Sequence, residues 1–74
     1  MIEEKKTNVA KVIELVGVSK VGWEDAVQNA VMDASKTLEN ITGVEVLSCT
    51  GTVEDGKITE YKANVKVAFG LTNR

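Results

Sequence analysis

The chain has 74 residues and a mass of 8.0 kDa, which suffices for one small domain. Nine basic and eleven acidic side chains give a net charge of -2, which argues against a nucleic-acid partner or a polybasic membrane anchor. The absence of histidine and the single cysteine exclude Ser-His triads, His-ligated metals, internal disulfides and four-cysteine zinc sites.

The remaining expectations from composition concern location and assembly. No apolar run approaches the roughly 18–20 residues of a membrane span, and we expect a cytoplasmic protein. At about 70–80 residues a single core rarely supplies more than roughly 3–5 kcal/mol of stability. Because disulfides and zinc are excluded, the sequence favours self-association as the additional source of stability.

The first part of the chain predicts a tail followed by a strand. Met1–Thr7 is charged and aperiodic, so we predict a flexible tail, with residues 8–74 forming a single domain. Asn8–Val18 is rich in valine, isoleucine and leucine and predicts a strand. Both faces of this strand are mostly apolar, which is typical of a strand covered on both sides.

The middle of the chain predicts one amphipathic helix, from about Gly22 to Glu39. Ser19 is the expected N-cap and Asn40 the expected C-cap. Trp23 lies at helical spacing to the apolar residues that follow it. We therefore interpret it as an anchor of the helix in preference to a ligand-stacking platform.

The last part of the chain predicts a hairpin. Ile41–Val53 and Ile58–Leu71 have strand patterns, and the Asp-Gly pair within Glu54–Lys57 is a strong turn signal. The order is therefore β-α-β-β, an α+β fold. Because one helix covers only one face of a three-stranded sheet, the other face should remain apolar and exposed, as at a protein–protein interface. Depending on register, that face carries either Val12 and Val16 or Ile13 and Leu15.

Few residues in this pattern point to chemistry. Cys49 lacks a histidine partner and is expected to be a small apolar core residue. Lys62 and Lys66 either form cross-strand ion pairs or place a cation in a pocket between subunits. No glycine-rich phosphate loop or base–nucleophile pair is present, so we expect no enzymatic activity. Carboxylates from several chains around a symmetry axis would be needed for a calcium site, and the candidates are Glu14, Glu45, Glu54, Asp55 and Glu60.

The ordered set of motifs resembles the dodecins over about residues 9–71. The matching segments are KVIELVG in the first strand, Ser19 followed by WEDA at the helix start, ASKTL near its end, NI and VEV in the second strand, the VEDGKI turn, and EY with VKVAF in the third strand.

The resemblance implies a three-stranded antiparallel sheet wrapped around one helix, assembled into a hollow homododecamer that stores and buffers flavins without catalysis. In flavin-binding dodecins a stacking tryptophan occupies the position that aligns with Gly43. The resemblance implies interface pockets lined by Gly43, Glu45 and Lys62, with flavin binding weakened by the missing ring. Some dodecin-like proteins without that tryptophan are associated with calcium, so a cation-binding structural oligomer is the alternative.

Overall fold

The computed structural model describes residues 10–70, which form one helix and one sheet. The elements are β1 (Ala10–Ser19), α1 (Trp23–Ala34), β2 (Ile41–Glu54) and β3 (Lys57–Gly70). The strand order is β1-β3-β2, and β3 pairs antiparallel with both neighbours. The predicted β-α-β-β fold is confirmed. The predicted tail at residues 1–7 lies outside the described residues.

The central strand β3 supplies the sheet's half of the core. Ala63, Val65 and Val67 alternate with polar residues and are completely buried. They pack against the alanines of α1, namely Ala26, Ala30 and Ala34. The predicted separation of β3 into an apolar and a polar face is confirmed, because side chains alternate between the two faces of a strand.

The register of β1 decides which of its two apolar faces the helix covers. Ile13 and Leu15 pack against the core, and they lie opposite Val67 and Val65 of β3. Val12 and Val16 point to the other side of the sheet and are 55% and 57% exposed. The alternative that the sequence left open is resolved in favour of exposed Val12 and Val16.

The helix is shorter than predicted at its C-terminal end. It ends at Ala34, where the chain enters a turn in which Leu38 N–H donates to the Ala34 carbonyl over 3.0 Å. Leu38 still packs on the core, which explains why apolar periodicity continued to Glu39. The predicted C-cap at Asn40 is wrong, because Asn40 lies well beyond the end of the helix, where it adopts a left-handed φ of 62° immediately before β2.

Ser19 was predicted as the N-cap of the helix, and this prediction is wrong, but its hydroxyl stabilises the turn between β1 and α1. Gly22 occupies the cap position, and no side chain bonds to the helix terminus there. The buried Ser19 Oγ accepts the N–H groups of Val21 at 2.8 Å and Gly22 at 3.2 Å, and it donates to Asp25 Oδ2 at 2.8 Å. The hydroxyl therefore stabilises the turn one step before the helix begins.

The hairpin turn agrees with its sequence signal. Asp55 and Gly56 both have positive φ, 53° and 75°, as a type I′ turn requires. Glu54 and Lys57 form the last cross-strand pair before the turn. Among residues 10–70, no helix is long and apolar enough to cross a membrane.

The helix α1 approaches the sheet very closely at Gly17. A Cβ at this position would overlap the Ala26 carbonyl oxygen and would lie 3.0 Å from the Ala30 Cβ. The backbone of the helix therefore rests directly on β1 at a residue without a side chain. Only glycine permits this contact, because the obstructing group is main chain.

We expect Gly17→Ala to lower the free energy of unfolding by about 2–4 kcal/mol, since relieving the overlap must move the helix backbone in a close-packed core. Gly70→Ala is the matched control, because a Cβ there meets nothing within 4 Å. Thermal and urea unfolding followed by circular dichroism would measure both. Equal stability of the two variants would contradict a close helix–sheet contact at Gly17.

Candidate functional site

The sheet face turned away from α1, here called the open face, is organised in rows across the three strands. Residues directly opposite in an antiparallel pair share a face, so the register defines each row. One row is entirely apolar or small, and the other three carry charged, amide or hydroxyl groups. The rows are Val12–Ala68–Gly43, Glu14–Lys66–Glu45, Val16–Asn64–Ser48 and Val18–Lys62–Thr50.

The three predicted ligand-binding residues all lie on the open face, but at unequal spacing. Gly43 and Glu45 occupy neighbouring rows, about 7 Å apart along β2. Lys62 lies two rows beyond Glu45, at roughly 13 Å. One chain therefore places Gly43 and Glu45 side by side, whereas a small ligand that also contacts Lys62 requires a second copy of the face.

Gly43, at the β2 end of the row Val12–Ala68–Gly43, has no side chain, so its backbone is exposed on the open face. A Cβ built at Gly43 meets nothing within 4 Å, so the position has free space above it. Its row partners Ala68 and Val12 are small and apolar. The row forms a flat apolar floor, which suits a planar ring and lacks any aromatic side chain to stack on it.

The charges of the open face occur as lysine–carboxylate groups. Lys62 Nζ lies 3.9 Å from Glu60 Oε1, its neighbour on the same face of β3. Lys66 lies directly between Glu14 of β1 and Glu45 of β2 in the register. The sequence left open whether these lysines form ion pairs or place a cation in a pocket between subunits, and it did not predict that Glu14 lies opposite Lys66. Only the β1–β3 register, which strand patterns leave undetermined, reveals it.

Trp23 is held by contacts within the chain. Its Nε1–H donates a hydrogen bond to the Thr50 carbonyl oxygen over 2.8 Å. Its ring packs edge-on against the ring of Tyr61, with the two centroids 4.8 Å apart and an angle of 86° between the ring planes. A Cβ at Gly51 would lie 3.5 Å from the indole, so the ring covers this glycine. These contacts favour the interpretation of Trp23 as an anchor between the helix start and the hairpin.

Cys49 is exposed, and its predicted place in the core is wrong for the single chain. It lies opposite the buried Ala63, on the helix side of the sheet. The helix packs mainly on β1 and β3 and hardly reaches β2. Cys49 therefore has the correct orientation for a core residue but stays exposed, and Val46, which is 47% exposed, is in the same situation.

The carboxylates proposed as calcium ligands do not converge within one chain. Within residues 10–70, no three acidic or cysteine side chains lie close enough together to hold a metal ion. Glu54 and Asp55 lie at the hairpin end, whereas Glu14 and Glu45 lie on the open face. A calcium site built from these carboxylates would therefore need side chains from more than one copy.

The family model for dodecin matches residues 9–72. The chain belongs to the dodecin family. This confirms the resemblance found in the sequence, and it agrees with the observed fold, for which a dodecameric assembly is typical.

Individual relatives agree with the family assignment. A dodecin from Thermus thermophilus is 40% identical over 63 residues, which cover 85% of this chain and 91% of the relative. The structure of dodecin from Streptomyces coelicolor matches with a TM-score of 0.84 at 36% identity, covering 90% of this chain and 96% of that one. The calcium dodecin of Mycobacterium tuberculosis, described as calcium-chelating, matches with a TM-score of 0.74 at 32% identity, covering 86% and 91%.

We expect Trp23→Phe to lower the free energy of unfolding by about 1–2 kcal/mol, because the Thr50 carbonyl loses its indole donor. Tyr61→Phe is the matched control, since it keeps the edge-on ring contact. Flavin affinity, measured on the same proteins, should be unchanged by Trp23→Phe. A loss of affinity without a loss of stability would identify Trp23 as a ligand contact instead.

Proposed function

We propose that this dodecin is a self-assembling binding protein that holds a small planar ligand of flavin type and catalyses no reaction. The observation that carries this proposal is the open face of the sheet, which no element of residues 10–70 covers. Val12, Val16 and Val18 expose 55%, 57% and 43% of their surface there. Exposed apolar surface of this kind marks an interaction site.

The assembly we propose is the hollow homododecamer typical of the family. The buried core of the single chain consists of only three alanines and three valines among the described residues. Burial of apolar surface is the main favourable term in folding, so this core alone offers little stability. Packing of further copies against the open face and against β2 would bury the exposed valines and supply the missing area.

The ligand would lie where copies of the open face meet. Gly43 with its row offers a flat apolar floor, and Glu45 and Lys62 offer polar groups for the edge of a ring system. Stacking between aromatic rings contributes about 0.5–1.5 kcal/mol per pair. Because Gly43 supplies no ring, we propose weak flavin binding, with storage or buffering in the cytoplasm and no nucleic-acid or membrane partner.

A calcium-binding structural oligomer is the second candidate. The observation that favours it is the similarity to the calcium dodecin of Mycobacterium tuberculosis, 35% identical over 65 residues. Calcium takes six to eight oxygen ligands, and carboxylates from several copies could supply them around a symmetry axis. In this case the ion would stabilise the assembly, since a ligand that binds only the folded state raises its stability.

We expect riboflavin fluorescence to be quenched saturably when it is titrated with protein whose oligomeric mass has been measured. Gly43→Trp should raise the affinity about fivefold or more, because it restores a stacking ring in a position with free space. Gly43→Leu is the matched control, since it adds bulk without an aromatic face. An intact large oligomer that leaves riboflavin unquenched would refute flavin binding, and a monomer would refute the assembly.

For the calcium alternative, removal of divalent cations is the test. If calcium stabilises the assembly, a chelator should lower the melting temperature and the oligomeric mass, and added calcium should restore both. If apolar contacts alone hold the subunits together, the chelator should leave both unchanged. Static light scattering and thermal unfolding in parallel would distinguish the two outcomes.

A further inference from the structure

The lysines of the open face are accompanied by an excess of carboxylates. Lys66 lies between Glu14 and Glu45 in one row, and Lys62 Nζ lies 3.9 Å from Glu60 Oε1. Three carboxylates thus accompany two lysines, which leaves the group with one net negative charge. The Lys66 row by itself also carries one net negative charge, because a single ammonium group faces two carboxylates.

Within residues 10–70, the open face offers no better group for an anion than its two lysines. Arginine, whose planar fork matches phosphate, occurs only at Arg74, outside the described residues. A lysine holds a phosphate as a point charge, and carboxylates on both sides weaken that attraction. Each lysine of the open face therefore has carboxylates as its neighbours, Glu60 on the same strand for Lys62 and the register partners Glu14 and Glu45 for Lys66.

The apolar row next to these charges suits an uncharged ring. Val12, Ala68 and Gly43 present no formal charge and no bulky side chain. A ligand on this row lies about 7 Å from the Lys66 row, which is within the Debye length of about 8 Å at physiological ionic strength. The excess negative charge of the neighbouring row therefore acts on any group that the ligand carries.

We propose that the site takes an uncharged ring compound and discriminates against its phosphate ester, and that Glu14 and Glu45 set this preference by outweighing Lys66. This inference rests on the proposed function. A phosphate monoester brings about 1.5–2 negative charges at pH 7 into a region that is already negative. In an assembly of identical copies, the same excess charge recurs wherever open faces meet, so the repulsion increases.

The test compares riboflavin with riboflavin 5′-phosphate by fluorescence titration on the full chain. At low ionic strength we expect the phosphate ester to bind about tenfold more weakly, a difference of about 1.4 kcal/mol. In about 0.5 M salt the difference should shrink, because salt screens charge repulsion. Rejection of the phosphate by shape alone would not depend on salt.

Charge-removing variants locate the effect. Glu14→Gln should reduce the ratio of the two affinities, and the double variant Glu14→Gln/Glu45→Gln should abolish or invert it by freeing Lys66. Glu54→Gln is the matched control, because it makes the same change in net charge at the hairpin end, opposite Lys57. Circular dichroism and oligomeric mass would establish that each variant keeps the fold.

The outcomes separate the inference from the function on which it rests. Equal affinity for the two compounds, or a ratio that neither salt nor Glu14→Gln/Glu45→Gln alters, would overturn the charge-based preference while leaving flavin binding in place. The absence of binding by either compound to the intact oligomer would refute the proposed function and this inference together.

Discussion

The structure depends on the contact between the backbone of α1 and Gly17 of β1. The absence of a side chain at Gly17 lets the Ala26 carbonyl rest on the strand, and the small Ala30 packs beside it. This contact fixes the helix over β1 and the central strand β3, where Val65 and Val67 complete the core. A larger residue at Gly17 would have to lift the helix, and the core beneath would lose its packing density.

The same contact decides which surfaces stay uncovered. Because α1 lies over β1 and β3 and hardly reaches the middle of β2, Val46 and Cys49 are exposed although they point in the direction of the core. Within residues 10–70, no element covers the opposite face of the sheet. Two apolar surfaces on one small chain are the physical reason for proposing an assembly in which copies cover one another.

The open face combines a flat apolar row with a row of charges, and this combination underlies the proposed ligand. The dodecin fold brings Gly43 and Glu45 into adjacent rows and leaves Lys62 two rows away. A small ligand that contacts all three residues must therefore lie between copies. The family assignment identifies the architecture, whereas Gly43 and the Glu14–Lys66–Glu45 row are features of this chain that govern how strongly, and in what charge state, a ligand binds.

The sequence by itself determined the element order, the hairpin turn and the two faces of β3, because these follow from local alternation and from the Asp55-Gly56 pair. It could not determine the end of the helix, since Leu38 continues the apolar period from within a turn. The exposure of Cys49 and the placement of Lys66 between two carboxylates also required the tertiary structure. The exposure of Cys49 depends on where the helix lies over the sheet, and the position of Lys66 depends on the register in which β1 and β2 pair with β3. The residue pattern of a single strand encodes neither.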